Sequence, residues 1–258
     1  MDKCLNRLGE ERYNHQGCLM KITQYKNANE IIIEFQDKYR VKIRTRYDRF
    51  IAGSIRNPYH PVVCGVGAIG VKYASRTNGK QTKEHLTWIN MLHRCFNEKY
   101  KKKMPTYKDA ICCTKWLLYE NFCDWLHSQS NFDKWKNGER WAIDKDIILK
   151  GNKIYSPETC CLVPHNVNML FIKNDIDRSN LPIGVKRNGN GFQAFCNNPY
   201  TNKQESLGTY STPEQAFQAY KIYKENIIKQ VAQIEFENGN ITEECYNAMM
   251  IYEVDITD

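Results

Sequence analysis

The chain has 258 residues, of which 41% are hydrophobic and 26% charged, and its formal net charge is +8. These values are typical of a globular protein with two or three small domains. No apolar run reaches the ~18 residues of a membrane-spanning helix, and the N-terminus lacks the apolar core of a signal peptide. We therefore expect a cytoplasmic protein without a membrane partner.

The eleven cysteines are an odd number in a chain without a secretion signal, which argues against a disulfide framework. No two of them have the Cys-x-x-Cys spacing. A zinc site would have to combine Cys161 and His165, four residues apart, with distant thiols such as Cys112, Cys113 and Cys123. We expect reduced thiols and no structural zinc.

The N-terminal region predicts three strands, over residues 18–25, 30–36 and 39–47, separated by turn-forming residues. In the third strand, basic side chains occupy alternate positions and therefore share one face. These residues, called the cation stripe below, are Arg40, Lys42, Arg44 and Arg46. No acid interrupts residues 39–47, so the stripe fits nucleic-acid phosphates. The alternative is an edge strand whose cations prevent aggregation.

Residues 65–70 match the pattern Gly-x-Gly-x-x-Gly after a short apolar run. The residues that follow do not form a helical pattern, so no helix N-terminus is available for a pyrophosphate. We therefore predict a glycine-rich connector and no nucleotide cofactor.

Two helices are predicted next, over residues 83–96 and about 115–128, from apolar side chains at helical spacing. Their aromatic side chains, Trp88, Trp116, Phe122 and Trp125 among them, are expected in a core and not stacked on bases.

Carboxylates, a histidine and asparagines converge in the segment 141–171. The apolar pattern predicts a strand at 141–144, a second strand at 160–164 and a helix opening near His165. A hairpin and helix of this size can hold a divalent metal ion between the first strand and the helix. The alternative is a structural unit with a solvated turn at Asp144, Lys145 and Asp146, because ion-pair networks and perturbed sites look alike in sequence.

At these residues the chain resembles the HNH family of ββα-metal nucleases, which occurs in phages and mobile elements. The resemblance implies Mg²⁺ or Mn²⁺, held by Asp144 and Asn168. Lys145 stands where the family has its general-base histidine, and Cys161 stands where it has the asparagine that orients that histidine.

Lysine beside two acids is a poor general base, because opposite charges favour the protonated ammonium. The catalytic candidates are therefore Asp144, Lys145, Asp146 and His165, with Asp146 or His165 as the base in a rearranged site. If neither acts as the base, the site is inactive.

The C-terminal region predicts strands at about 182–185, 191–197 and 204–211, followed by a helix that begins at Thr212 and Pro213. Thr212 is a suitable N-cap and Pro213 suits the first helical position. One helix stripe is expected to face the sheet: Ala216, Ala219, Tyr220, Tyr223, Ile227, Val231 and Ile234.

This stretch resembles the AP2 DNA-binding domain, on the residues 184–185, Ala194, 207–210 and 212–220. The resemblance implies that the exposed sheet face enters the major groove of double-stranded DNA. The matching positions are Lys186, Asn188, Asn190, Gln193, Phe195, Asn197, Gln204 and Ser206. The alternative is a small fold whose sheet has a polar face without a binding role.

The predicted fold class is α+β, with a basic β module at 1–62, a helical and ββα module at 63–176 and the AP2-like domain at 177–236. Residues 237–258 form a tail, in which a short helical piece is followed by a strongly acidic end with Glu253, Asp255 and Asp258. We expect the acidic end either to pack on the N-terminal region or to be disordered.

The leading functional hypothesis is a phage or mobile-element HNH-type endonuclease that acts on double-stranded DNA in the host cytoplasm. The first alternative is a catalytically inactive, nuclease-derived DNA-binding regulator or anti-defence protein of phage–host conflict. A protein that blocks a host enzyme is a further alternative, and it predicts a host protein partner and no DNA affinity.

Overall fold

The structure is a computed structural model, and it describes residues 7–138, 140–172, 181–201 and 203–256. These residues form two compact units, residues 7–108 with 112–123 and residues 109–111 with 124–256. The division lies inside the predicted 63–176 module. Helices and strands occur in both units, and the predicted α+β class is confirmed.

The first unit begins with an antiparallel four-stranded sheet in the order β1 to β4. The strands are β1 (Glu11–Tyr13), β2 (Leu19–Asn27), β3 (Glu30–Phe35) and β4 (Lys42–Thr45). Alternate side chains of β2 and β3 are buried against Phe50 of the short helix α1 (Tyr47–Ile51). The three strands predicted here are confirmed as β2, β3 and β4.

The third predicted strand is shorter than expected. Arg40 precedes β4 and has a φ of 50°, which takes it out of the extended conformation. Arg46 follows β4 and is the N-cap residue of α1. Only Lys42 and Arg44 of the cation stripe therefore lie in a strand.

The rest of the first unit is mainly helical. It contains β5 (Arg76–Thr77), β6 (Lys80–Gln81), α2 (Lys83–Phe96) and α3 (Glu98–Lys103), and two 3-10 helices cover Pro105–Tyr107 and Thr114–Leu117. The strand β7 (Ile111–Cys112) and the helix α4 (Tyr119–His127) lie where the chain passes between the units. The Trp88 indole donates a hydrogen bond to Trp116 O (2.7 Å) in a buried aromatic cluster. Trp88, Trp116 and Phe122 are thus confirmed as core residues, whereas Trp125 is half-buried.

The glycine-rich segment 65–70 is a connector whose conformation depends on Glu120. The Glu120 carboxylate accepts hydrogen bonds from the backbone N–H groups of Val71 and Lys72. Gly70 has a φ of +80°, and a Cβ at this position would lie 2.3 Å from Glu120 Cδ. No helix follows the segment within the described residues 71–82, in agreement with the prediction.

The second unit contains α5 (Phe132–Lys136), β8 (Trp141–Asp144), β9 (Ile154–Tyr155), β10 (Cys161–Pro164) and α6 (His165–Leu170). It continues with β11 (Val185–Asn188), β12 (Gly191–Asn198), β13 (Lys203–Tyr210), α7 (Pro213–Glu237) and α8 (Glu243–Met250). The sheet β11–β12–β13 is antiparallel, and its buried residues pack on Ala216, Phe217 and Tyr220 of α7. Thr212 caps α7 by accepting a hydrogen bond from Gln215 N.

Two predictions about the C-terminal region were wrong. Ile234 was assigned to the buried stripe of α7 but is 40% exposed, whereas Ile228 and Ala232 are fully buried. The short helical piece predicted in the tail is confirmed as α8, whose Cys245 and Met249 pack against α7, β10 and α6 in the core of the second unit. The expectation for the acidic end that follows was wrong. Val254 packs beside the sheet in the same unit, and neither expectation for the tail had placed it there.

Among the residues that the structure describes, none of the helices is both long and apolar enough to cross a membrane.

Candidate functional site

The predicted ββα arrangement is present around Asp144. Strands β8 and β10 are antiparallel neighbours, and their register places Asp144 directly opposite Cys161. Helix α6 starts at His165, immediately after β10 ends at Pro164. The interior side chains of β10 and α6 pack against α7 and α8, so this unit is held by the C-terminal helices.

Asp144 is the most perturbed carboxyl group of this unit. Its Oδ1 accepts hydrogen bonds from the backbone N–H groups of Asp146 (2.8 Å) and Ile147 (2.9 Å), which fixes the turn after β8. Burial, and next the charge of the neighbouring Asp146, raise the pKa of Asp144 to about 7. A raised pKa with a specific charged neighbour is a feature of functional sites, although structural networks have it as well.

Lys145, which the resemblance aligned with a general base, forms its contacts within its own loop. Its Nζ donates to Asp146 Oδ2 (3.1 Å) and to Asn152 O (3.1 Å), and the side chain is 12% exposed. The Asn152 amide in turn donates to Lys145 O (2.6 Å). These bonds give Lys145 a structural role in closing the 145–152 loop.

Cys161, which the resemblance aligned with an orienting asparagine, is a core residue. It is 3% exposed and packs with Cys245 and Met249. The neighbouring Cys245 thiol and burial raise the pKa of Cys161 well above its usual value, so the neutral thiol is favoured. A buried neutral thiol does not reproduce the amide that orients a histidine in the nuclease pattern.

The remaining predicted residues lie on α6, where His165 is the first residue and Asn168 follows one turn later. Within the described residues, no three His, Cys, Asp or Glu side chains form a group that could hold a metal ion. The structure thus brings Asp144, Asp146 and Lys145 together but does not add His165 to them as a third ligand. Two carboxylates and an amide oxygen do fit the oxygen preference of Mg²⁺, which also keeps several waters.

A second candidate site is the face of the C-terminal sheet that is turned away from α7. Val185, Ala194 and Cys196 point towards α7 and are buried, so the alternate side chains lie on the opposite face. Cross-strand pairing aligns the predicted residues there: Lys186 with Gln193, Phe195 with Ser206, and Asn197 with Gln204. We call this set the outer sheet face.

Side-chain contacts link the strands across the outer sheet face. Gln193 Nε2 donates to Ser206 Oγ (2.7 Å), and the Lys186 ammonium lies 5.0 Å from the centre of the Phe195 ring. Asn188 Nδ2 is 3.4 Å from Thr209 Oγ1. Asn190 is exposed in the turn between β11 and β12.

Thr209 also lies on this face, and the sequence prediction missed it. It pairs with Gln193 across β12 and β13. A register irregularity at Ala194 and Phe195 shifts the pairing by one residue along β13. Simple alternation along the sequence therefore did not locate it. The local signal for the bulge is Gly208, an isolated glycine inside the strand that has a φ of +115°.

The cation stripe differs from its prediction because acids of the folded chain pair with all four of its residues. Glu34 Oε1 is 3.4 Å from Arg40, Glu34 Oε2 is 3.7 Å from Lys42, and Glu30 Oε1 is 2.6 Å from Arg44. Arg46 pairs with Asp48 (2.9 Å). Residues 39–47 contain no acid, but the sheet brings β3 and its glutamates beside β4, which the sequence pattern did not show.

No family model matches the chain, and neither does any curated protein or solved structure.

Proposed function

We propose that the protein binds double-stranded DNA through its outer sheet face. The observation that carries this proposal is the cross-strand alignment of Lys186, Gln193, Phe195, Asn197, Gln204 and Ser206 on the face opposite α7. Polar and aromatic side chains gathered on one sheet face, and held in register by a helix behind it, form a surface of the kind that enters a groove.

The side chains of this face suit base edges in the major groove, which admits β-strands as well as helices. Asparagine and glutamine amides can pair with the N6 and N7 positions of adenine, and a phenylalanine ring can contact a thymine methyl group. Lys186 adds a positive charge for a phosphate or a guanine edge. The expected target is therefore rich in A·T pairs.

The test is DNA selection and affinity measurement with the full chain, followed by the double variant Asn197→Ala with Gln204→Ala. We expect a loss of about 10-fold or more in affinity for the selected duplex, since one bidentate base contact contributes ~1–3 kcal/mol of discrimination. The control is Gln218→Ala with Gln230→Ala, two exposed glutamines of α7. Equal losses in both variants would contradict the proposal, and a chain without DNA affinity would favour a protein-blocking function.

We propose as a second function metal-dependent DNA cleavage at the ββα unit. It is supported by the raised pKa of Asp144 beside a second carboxylate, Asp146. Bringing a divalent cation to two mutually repelling carboxylates offsets their repulsion. Asp144 and Asn168 would hold Mg²⁺ or Mn²⁺, which supplies Lewis-acid stabilisation of the leaving oxygen. Asp146 or His165 would accept the proton of the attacking water.

The alternative, a DNA-binding protein without nuclease activity, is supported by the ion pair of Lys145 with Asp146 and by the burial of Cys161. Incubation of supercoiled DNA with the protein and Mg²⁺ or Mn²⁺ separates the two. Metal-dependent cleavage that is lost in Asp144→Asn and kept in the charge-matched control Asp133→Asn supports the nuclease. Binding without cleavage in either metal supports the inactive protein.

A further inference from the structure

An open cleft of about 540 Å³ lies in the first unit between the end of β4, helix α1 and residues 54–56. Three arginines line it, namely Arg44, Arg49 and Arg56, together with the hydroxyl-bearing Thr45 and Ser54. Another cavity of about 340 Å³ shares residues 54–56 and adds His15 to its lining. None of the described residues that line either cavity is acidic. We call the two together the arginine cleft.

The shape of the cleft follows from the way α1 ends. Gly53 N–H donates to Phe50 O (3.1 Å) and Ser54 N–H donates to Arg49 O (3.1 Å). This pair of hydrogen bonds is the pattern of a Schellman motif. Gly53 has a φ of +65°, where glycine is favoured, and a Cβ there would lie 3.3 Å from Tyr13 O. The turn reverses the chain so that Arg49 and Arg56 line the same cleft.

Residues after the turn are anchored to the rest of the unit. Asn14 Nδ2 donates to Ile55 O (2.8 Å), and Ile55 is 8% exposed within the sheet core. The backbone on either side of the two exposed arginines is therefore fixed by α1 and by this anchor. Their guanidinium groups remain exposed, on a preorganised backbone.

The charges of the cleft differ from those of the cation stripe. Every stripe residue has an acidic partner, Arg44 included. Among the described residues, neither Arg49 nor Arg56 forms an ion pair through its side chain. Unneutralised cations gathered in a concave surface create a positive potential that attracts anions. The guanidinium group matches the oxygens of a phosphate by two parallel hydrogen bonds.

We propose that the arginine cleft binds phosphodiester groups of a DNA backbone, with Arg49 and Arg56 as the contacting cations. Thr45 supplies a hydroxyl group in the same cleft, whereas the Ser54 hydroxyl donates to Arg49 O (3.4 Å). The larger cavity is open, and the smaller one shares residues 54–56 of its lining. This inference rests on the proposed DNA binding and adds a contact that is independent of base sequence.

The experiment measures the affinity of the full chain for one fluorescent duplex over a range of salt concentrations. The slope of log K against log salt is negative, and each lost phosphate contact reduces its magnitude by about 0.9. We expect Arg49→Ala with Arg56→Ala to reduce the magnitude of the slope by about 2 and to weaken binding by about 10-fold or more. The matched control is Arg40→Ala with Lys42→Ala, which removes the same charge from paired residues and is expected to change the slope by less than half as much. An equal change in both variants overturns the proposal.

A charge-retaining variant separates a lost contact from a lost fold. Arg49→Lys with Arg56→Lys keeps both positive charges but loses the planar donor pairs. We expect this variant to keep most of the salt slope and to bind more weakly than the unaltered chain. A slope reduced as far as in the alanine variant contradicts a phosphate contact.

Two further measurements distinguish DNA binding by the cleft from DNA binding by the outer sheet face and from the binding of small anions. Asn197→Ala with Gln204→Ala is expected to lose sequence preference with its salt slope retained, and the arginine variant is expected to do the opposite. If the sheet variant alone weakens binding, only the cleft proposal is overturned. If the full chain binds no DNA, both proposals are overturned. Tight binding of inorganic phosphate by calorimetry, lost in the arginine variant while duplex affinity is unchanged, would assign the cleft to small anions instead.

Discussion

Lys145 Nζ lies 3.1 Å from Asp146 Oδ2, in a pair whose lysine side chain is 12% exposed and whose aspartate is 39% exposed. The same ammonium donates to Asn152 O, so one side chain joins the two ends of the loop that follows β8. The Lys145 ammonium is thus engaged by two acceptors.

Replacing Lys145 by methionine is therefore expected to loosen this loop. The cost is about 1–2 kcal/mol of unfolding free energy, from one hydrogen bond to a carbonyl and one partly screened ion pair. Denaturant unfolding measures it, with Lys153→Met, an exposed lysine of the same region, as the control. If Lys145 acted as a general base instead, the methionine variant would lose cleavage with its stability unchanged.

The raised pKa of Asp144 predicts that the unfolding free energy depends on pH. Because its pKa is raised to about 7 in the folded protein, the folded state binds a proton more strongly than the unfolded state between about pH 4 and pH 7. The unfolding free energy contributed by this group is therefore present at low pH and is lost as the pH rises through about 7.

Asp144→Asn removes this titration while its Oδ1 can still accept the two backbone hydrogen bonds. As the pH rises from 5 to 8, the stability of the variant relative to the unaltered chain is expected to increase by about 2–4 kcal/mol, at ~1.4 kcal/mol per pKa unit. Denaturant unfolding in the presence of a chelator measures the gain, and Asp133→Asn serves as the control. A stability difference that does not change with pH would show that Asp144 ionises normally.

Gly184 permits the close contact of β11 with α7. Its φ is +74°, and a Cβ there would lie 2.1 Å from Cδ2 of the Tyr220 ring. Gly184→Ala is expected to destabilise the C-terminal sheet by about 3 kcal/mol or more, since both backbone and packing must shift. Gly189→Ala is the control, because its φ is +58° and a Cβ there meets nothing within 4 Å; we expect about 1 kcal/mol. Similar losses by denaturant unfolding would contradict the packing argument.

Glu34 accounts for the neutralisation of half of the cation stripe. Its side chain is 18% exposed and pairs with both Arg40 and Lys42. Glu34→Gln is expected to raise DNA affinity and to steepen the salt dependence, because two cations become available to phosphates. The stability change is expected to stay within about 1 kcal/mol, as for other exposed pairs. The control in the same binding titration is Glu11→Gln, which releases the pair with Lys21. An unchanged affinity for both variants would indicate that the stripe lies outside the DNA contact.

Local patterns in the sequence determined most of the strands and helices. The alternation in β2 and β3, the Thr212 cap of α7 and the hairpin and helix around Asp144 all depend on residues near one another in the chain. Such elements follow from side-chain periodicity and capping, which act over a few residues. The absence of a helix after Gly70 was predictable for the same reason.

Only the tertiary structure decided which charges are paired and which faces are covered. Glu34 is six residues before Arg40, and only the register of β3 and β4 places it beside Lys42. The pairing of Thr209 with Gln193 and the burial of Cys161 against Cys245 likewise join residues that lie apart in the chain. Coulombic and packing interactions depend on distance in space, so a sequence shows which side chains are present, whereas the fold decides which of them meet.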